Sequence, residues 1–204
     1  MIKNIIFDMG DVLIRFDMQA FADRFDITQE DKDLLTDEIF RGNANWSLAD
    51  WGAITEKDVA DRACERLPER LHGFAHSLAE RWWDPILPVE GMADLVRRLK
   101  EAGYGIYLLS NAGSAHNTYW KTVPGSEYFD GVVASANEKM VKPQPEIFRL
   151  CLDRFGLKAE ECLFVDDRET NLAGAEVCGI RSLIFRNASD LQRRLKDAGI
   201  ELPE

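Results

Sequence analysis

Short apolar runs punctuate the chain at residues 2–7, 105–109, 131–135, 162–166 and 181–185. The first and fourth are apolar nearly throughout, the pattern of strands covered on both faces. Between the later runs the apolar period changes to that of a helix. Val89, Met92, Leu95, Val96 and Leu99 share one face, and Gly103 follows as a stop. Pro145 opens a second helix lined by Ile147, Phe148, Cys151, Leu152 and Phe155 and ended by Gly156. Leu172, Ala175 and Glu176 belong to a third, ended by Gly179. Ser189 is the expected N-cap of a fourth, which carries Leu191 and Leu195. Strands alternating with helices across short connections predict right-handed crossovers and a mostly parallel sheet.

One stretch breaks this rhythm. Between Asp17 and Pro88 no run reads as a strand, and Phe21, Phe25, Leu34, Leu35, Ile39 and Phe40 recur at helical spacing. About 70 residues exceed one crossover helix, and a structureless loop of that length does not suit a compact domain. The expectation is an α/β fold: a Rossmann-like parallel sheet sandwiched by helices, with a small helical cap inserted after the first strand. The core comprises residues 1–15 and 88–204, and the cap 16–87. Pro85 and Pro88 mark the return to the core. Tryptophans in such a bundle usually form its core. Trp46 and Trp51, beside Arg41, Gly42, Asn43 and Asn45, are also candidates for a sugar-sized pocket.

Composition narrows the setting. The 204 residues are 46% hydrophobic and carry a net charge of −11. That balance argues against nucleic acid and anionic membranes, which need clustered Lys and Arg. It leaves an anionic substrate open, because a metal ion and one lysine can set the local field. No run approaches a membrane span, and the N-terminal apolar run is too short for a signal peptide. Cys64, Cys151, Cys162 and Cys178 form no CxxC pair and read as reduced thiols. These features point to a cytoplasmic protein, monomeric or homodimeric.

The candidate chemistry sits where the apolar runs end. Asp8 closes the first, at the edge where open α/β sheets bind ligands. Leu108-Leu109-Ser110-Asn111 closes the second. Lys142-Pro143 follows the third, and Phe164-Val165-Asp166-Asp167 closes the fourth. Each alone is ordinary: a strand-end Asp or Ser caps the next helix, and a lone Lys is a solvated charge. Together, and in this order, they read as one site.

The order and local sequences resemble the haloacid dehalogenase (HAD) superfamily of hydrolases over essentially the whole chain. Its signature pieces match Asp8-Met9-Gly10-Asp11-Val12, Leu108-Leu109-Ser110-Asn111, Lys142-Pro143-Gln144-Pro145 and Phe164-Val165-Asp166-Asp167. The resemblance implies a first strand flanked by the second and fourth, and a Mg²⁺-dependent phosphatase acting on a small phosphorylated metabolite. It assigns Asp8 as nucleophile and metal ligand, with the Gly10 carbonyl and Asp167 completing the protein ligands. Asp166 would bind through water or support the ligands. Lys142 would neutralise the phosphoryl oxygens, Ser110 would donate to the phosphate, and Asn111 would do so too or support the loop.

Phosphatases of this family often carry a second Asp two residues after the nucleophile, as acid and base. Here that position is Gly10. Asp17 and His116 are candidate substitutes, and a good leaving group would lessen the need. The segments Phe7–Asp17 and Leu109–Trp120 are similar to the branch containing α-D-glucose-1-phosphate phosphatases, which shares that glycine. The alternatives are a 2-haloacid dehalogenase and a catalytically weak binding or regulatory protein.

Overall fold

The computed structural model describes residues 1–41 and 44–202. Its elements, in chain order, begin with β1 (Asn4–Phe7). The helices α1 (Met18–Asp23), α2 (Gln29–Thr36), α3 (Asn45–Asp50), α4 (Glu56–Cys64), α5 (His72–Glu80) and α6 (Met92–Glu101) follow. Then come β2 (Gly105–Ser110), α7 (His116–Tyr119), β3 (Gly131–Ala134), α8 (Ser135–Glu138) and α9 (Pro145–Phe155). The chain finishes with β4 (Cys162–Asp166), α10 (Glu169–Val177), β5 (Arg181–Ile184) and α11 (Ala188–Asp197).

The strands pair in parallel in the order β3-β2-β1-β4-β5, so β1 lies at the centre between β2 and β4, as the family resemblance implies. Its residues alternate between two cores, since successive strand side chains point to opposite faces. Ile5 and Phe7 pack with Leu95, Leu99, Leu191 and Leu195 of α6 and α11. Ile6 faces the other side, with Phe148 and Cys151 of α9 and Ala175 of α10. Both faces are covered, which is why β1 and β4 read as continuous apolar runs.

Pro145 stands at the first position of α9 and Gly156 closes it in a left-handed turn, φ 64°, as its position after the periodic run predicts. The start of α11 differs from expectation. Asn187, not Ser189, is its N-cap: Asn187 is extended and its side chain accepts from the Asp190 N–H at 2.9 Å. Both residues are good caps, and the choice falls on the one that reaches the free amide three residues on.

Among the described residues, 16–87 hold no strand. The chain leaves and re-enters the sheet layer side by side. The Arg15 N–H donates to the Leu87 carbonyl (2.7 Å), and the Val89 N–H to the Leu13 carbonyl (2.9 Å). Within the helical segment, Phe16, Phe21, Phe40, Trp46 and Trp82 form one aromatic cluster, with Phe40 and Trp46 centroids 4.6 Å apart. Trp82 carries it onto Tyr119 of α7, at 5.4 Å. Among the described residues, no helix is long and apolar enough to cross a membrane, and all four cysteines are free thiols.

Candidate active site

The ends of β1, β2 and β4 converge on a cavity of about 140 Å³. Asp8 enters it directly from β1. Its N–H still donates to the Val165 carbonyl at 2.9 Å, so the sheet ladder fixes where the carboxylate emerges. The chain then coils tightly. The N–H groups of Leu13 and Ile14 both donate to the Met9 carbonyl, and Asp11 adopts a left-handed φ of 54°. The Asp11 carboxylate caps this coil by accepting from the Phe16 N–H at 2.9 Å.

Lys142 is the hub. Its ammonium, almost fully buried, lies 2.8 Å from Asp8 Oδ1 and 2.6 Å from Asp166 Oδ2. The second contact is a hydrogen bond; the first is ionic, since Asp8 Oδ1 has no aligned donor. Asn111 holds the lysine's backbone at both ends. Its amide Nδ2 donates to the Lys142 carbonyl (3.0 Å), and its Oδ1 accepts from the Lys142 N–H (2.8 Å). Asp166 is saturated. Asn171 Nδ2 donates to both of its oxygens at 3.0 Å, and the Arg168 N–H donates to Oδ1 at 2.8 Å.

Burial and charge set the protonation of these groups. Desolvation pushes the Asp8 carboxyl above its ordinary range, and the nearby Asp166 charge adds to this, against the pull of Lys142. Half-buried Asp167 is pushed up to about 6, first by desolvation and then by Asp8 and Asp166. Burial works against the Lys142 charge, but the two carboxylates outweigh it and raise its pKa.

A divalent cation fits this donor set. Asp8, Asp166 and Asp167 each offer an oxygen, all within 4.8 Å of one another. Three carboxylates face the Lys142 ammonium and the Arg168 guanidinium on the lining, which leaves net negative charge. Because Asp166 spends its oxygens on Lys142, Asn171 and Arg168, Asp8 and Asp167 hold the available lone pairs. Hard oxygen ligands of this kind suit Mg²⁺. Gly10 also lines the cavity.

The expected residues are therefore gathered unequally. Asp8, Gly10, Asn111, Lys142 and Asp167 line the cavity. Ser110 is buried at the end of β2, paired with Ala134, and is not among the lining residues. Neither candidate proton carrier reaches the cavity. Asp17 caps α1 by accepting from the Ala20 N–H at 3.0 Å. His116 is buried, stacked on Trp120, and burial lowers its pKa to about 4. The tryptophan pair also separates. Trp46 lines the cavity while packed in the aromatic cluster, whereas Trp51 is 46% exposed and donates from Nε1 to the Lys139 carbonyl at 2.6 Å. Arg41 pairs with Asp37, and Asn45 accepts from Arg62. Gly42 and Asn43 lie outside the described residues.

Besides Phe16, sequence reasoning missed three residues. Arg168 and Asn171 follow the last motif and line the cavity. Their signal was available: they open the helix after Asp166-Asp167. The third is Asp50, which reaches the cavity from the end of α3. In sequence it is one acid in a helical stretch full of them, and nothing local marks it.

Comparison with known proteins agrees with this geometry. The family model for haloacid dehalogenase-like hydrolases matches residues 2–179. The chain is 32% identical over 184 residues to a sesquiterpene phosphatase of Aspergillus oryzae, covering 89% of this chain and 88% of that protein. It is 29% identical over 114 residues to flavin mononucleotide hydrolase 1 of Arabidopsis thaliana, covering 56% of this chain but only 46% of the relative. A HAD family enzyme of Bacteroides thetaiotaomicron, solved in complex with magnesium and inorganic phosphate, superposes with a TM-score of 0.74. The two share 25% identity over 95% of this chain and 99% of that one. The chain belongs to the haloacid dehalogenase-like hydrolase family.

Proposed function

We infer that the protein is a Mg²⁺-dependent phosphatase that hydrolyses a small phosphorylated metabolite through an aspartyl-phosphate on Asp8. The observation that carries this reading is the Asp8–Lys142–Asp166 chain. It holds a nucleophilic carboxylate beside a fixed buried cation, at the mouth of a small polar cavity. The Bacteroides relative was solved in complex with magnesium and inorganic phosphate, and the oxygen donors of Asp8 and Asp167 suit such an ion.

Asp8 attacks phosphorus and Lys142 neutralises the developing charge on the phosphoryl oxygens. Asp166 acts through Lys142 by orienting its ammonium, and Asn111 does so through the lysine's backbone. Asp8, Asp167 and the Gly10 carbonyl would hold the ion, which when bound supplies Lewis-acid charge between carboxylate and phosphate. Residues 16–87 serve as a cap whose Phe16 and Trp46 close the cavity and exclude water. A small site suits a compact leaving group, and a sugar 1-phosphate such as glucose 1-phosphate fits that description.

The test is phosphate release from an aryl phosphate with and without Mg²⁺, beside halide release from a 2-haloacid. Metal-dependent phosphate release supports the reading. Metal-independent halide release without phosphate release would replace it by a dehalogenase, and neither activity by a binding protein.

A further inference from the structure

We propose that Asp50 is the general acid and base of the hydrolysis, a carboxyl delivered from the helical segment to the site that Gly10 leaves without one. The proposal rests on the phosphatase reading above and deepens it. Besides Asp8 and Asp167, the carboxyls lining the cavity are those of Asp11 and Asp50. Asp11 is engaged by the Phe16 N–H in the coil after β1. Asp50 has no such engagement. Its side chain makes no hydrogen bond or ion pair among the described residues, and it lines the same cavity as Asp8.

Its position is fixed from both sides. The Ser135 hydroxyl, at the end of β3, donates to the Asp50 carbonyl and accepts from the Ala112 N–H. Trp51 next to it is tied to the Lys139 carbonyl. Gly52, at φ 71°, packs so closely on Ala136 that a Cβ there would sit 2.2 Å from the Ala136 carbonyl oxygen. A few residues on, the buried Glu56 accepts from the Ala115 N–H (2.7 Å) and from Ser114 Oγ (2.6 Å). These contacts hold the end of α3 against the loops after β2 and β3. A carboxyl carried on so rigid a mount keeps its place relative to Asp8. Burial also raises Asp50 to about 7, with Glu56 and Asp8 adding to the shift and Arg168 and Lys142 opposing it, so the proton is present at neutral pH and can leave.

The chemistry balances. As Asp8 bonds to phosphorus, the bond from phosphorus to the leaving oxygen breaks, and that oxygen takes the Asp50 proton to leave as an alcohol. The Asp50 carboxylate then accepts a proton from water as the water oxygen bonds to phosphorus. The Asp8–phosphorus bond breaks, releasing phosphate and restoring both carboxyl groups.

The test compares wild type, Asp50→Asn and Asp50→Ala with Mg²⁺ on 4-nitrophenyl and phenyl phosphate. Both are aryl phosphates, but phenol is the poorer leaving group. Loss of the acid should lower the phenyl phosphate rate about 100-fold or more, and the first turnover of 4-nitrophenyl phosphate less than about tenfold. Loss of the base should then appear as a nitrophenolate burst followed by slow turnover. Asp17→Asn, which keeps a good N-cap, should retain the wild-type dependence on leaving group. Equal first-turnover losses on both phosphates, or unchanged rates, in folded Asp50 variants would overturn the Asp50 proposal alone. A wild type inactive on both would overturn the phosphatase reading with it. Should Asp50→Asn fold poorly, the same pattern is read from Asp50→Ala, whose backbone carbonyl still meets Ser135.

Discussion

The two walls of the cavity are built differently. On the strand side, Lys142, Asn111 and Asp166 are locked by hydrogen bonds and ion pairs, several of them buried. On the helical side, Phe16 and Trp46 contribute rings, and Asp50 contributes a carboxyl held only by its backbone. A buried polar group in a saturated network is fixed in place and in charge. A carboxyl without side-chain partners has no such constraint on its proton. The strand side is built to hold charge still, and the helical side to let a proton move.

The largest expected effect lies on the strand side. Asp8→Asn should lower turnover by more than about 10⁴-fold while circular dichroism shows an unchanged fold; full turnover would break the account. Chelation with EDTA should abolish phosphate release and added Mg²⁺ should restore it, because Asp8 and Asp167 would otherwise repel a phosphate dianion.

The next effect crosses from one wall to the other. No atom lies within 4 Å of a Cβ built at Gly10. A Cβ therefore meets no obstacle there, and Gly10→Asp in the Asp50→Asn background should recover about tenfold or more of the phenyl phosphate rate. Kinetics of the double variant against Asp50→Asn alone measure this.

Smaller still, Asn111→Ala frees both backbone groups of Lys142. It should cost about 1–3 kcal/mol of stability by denaturant titration and lower kcat with little change in KM.

The smallest effect has the opposite sign. Burial raises Asp50 from 3.8 to about 7. A raised carboxyl favours folding while protonated and loses that contribution as pH climbs through the folded value. Asp50→Asn removes the ionisation cost. It should therefore match wild type below pH 4 and be the more stable of the two above pH 7. Melts at pH 4 and pH 8 read the difference; equal stability at both would mean that Asp50 is not desolvated by the site.

The contrast between the walls also explains what the sequence disclosed. β1 and β4 are covered on both faces, so their apolar runs stand out, and whatever polar residue ends each run is marked as a site candidate. Asp8, Asn111 and Asp167 were legible for that reason, and Lys142 through the likeness of its loop to the family motif. The helical side offers no such marker. Asp50 reaches the cavity because Gly52 meets Ala136 and Ser135 meets the Asp50 carbonyl, contacts between residues about 85 positions apart. Asp17 and His116 looked like better proton carriers because they flank the motifs. Local demands took them instead: a helix N-terminus for Asp17, a dry aromatic stack for His116. Nearness in sequence to a motif did not decide nearness to the cavity.

The central claim is that Asp8 accepts the phosphoryl group. It is tested most directly by acid-quenching the enzyme during turnover of 4-nitrophenyl phosphate with Mg²⁺ and mapping the adduct by peptide mass spectrometry. The account predicts one phosphoryl group on the peptide containing Asp8, absent from Asp8→Asn and enriched in Asp50→Asn, where hydrolysis of the adduct is slowed. Steady phosphate release with no adduct on that peptide in Asp50→Asn, or an adduct on another residue, would contradict it.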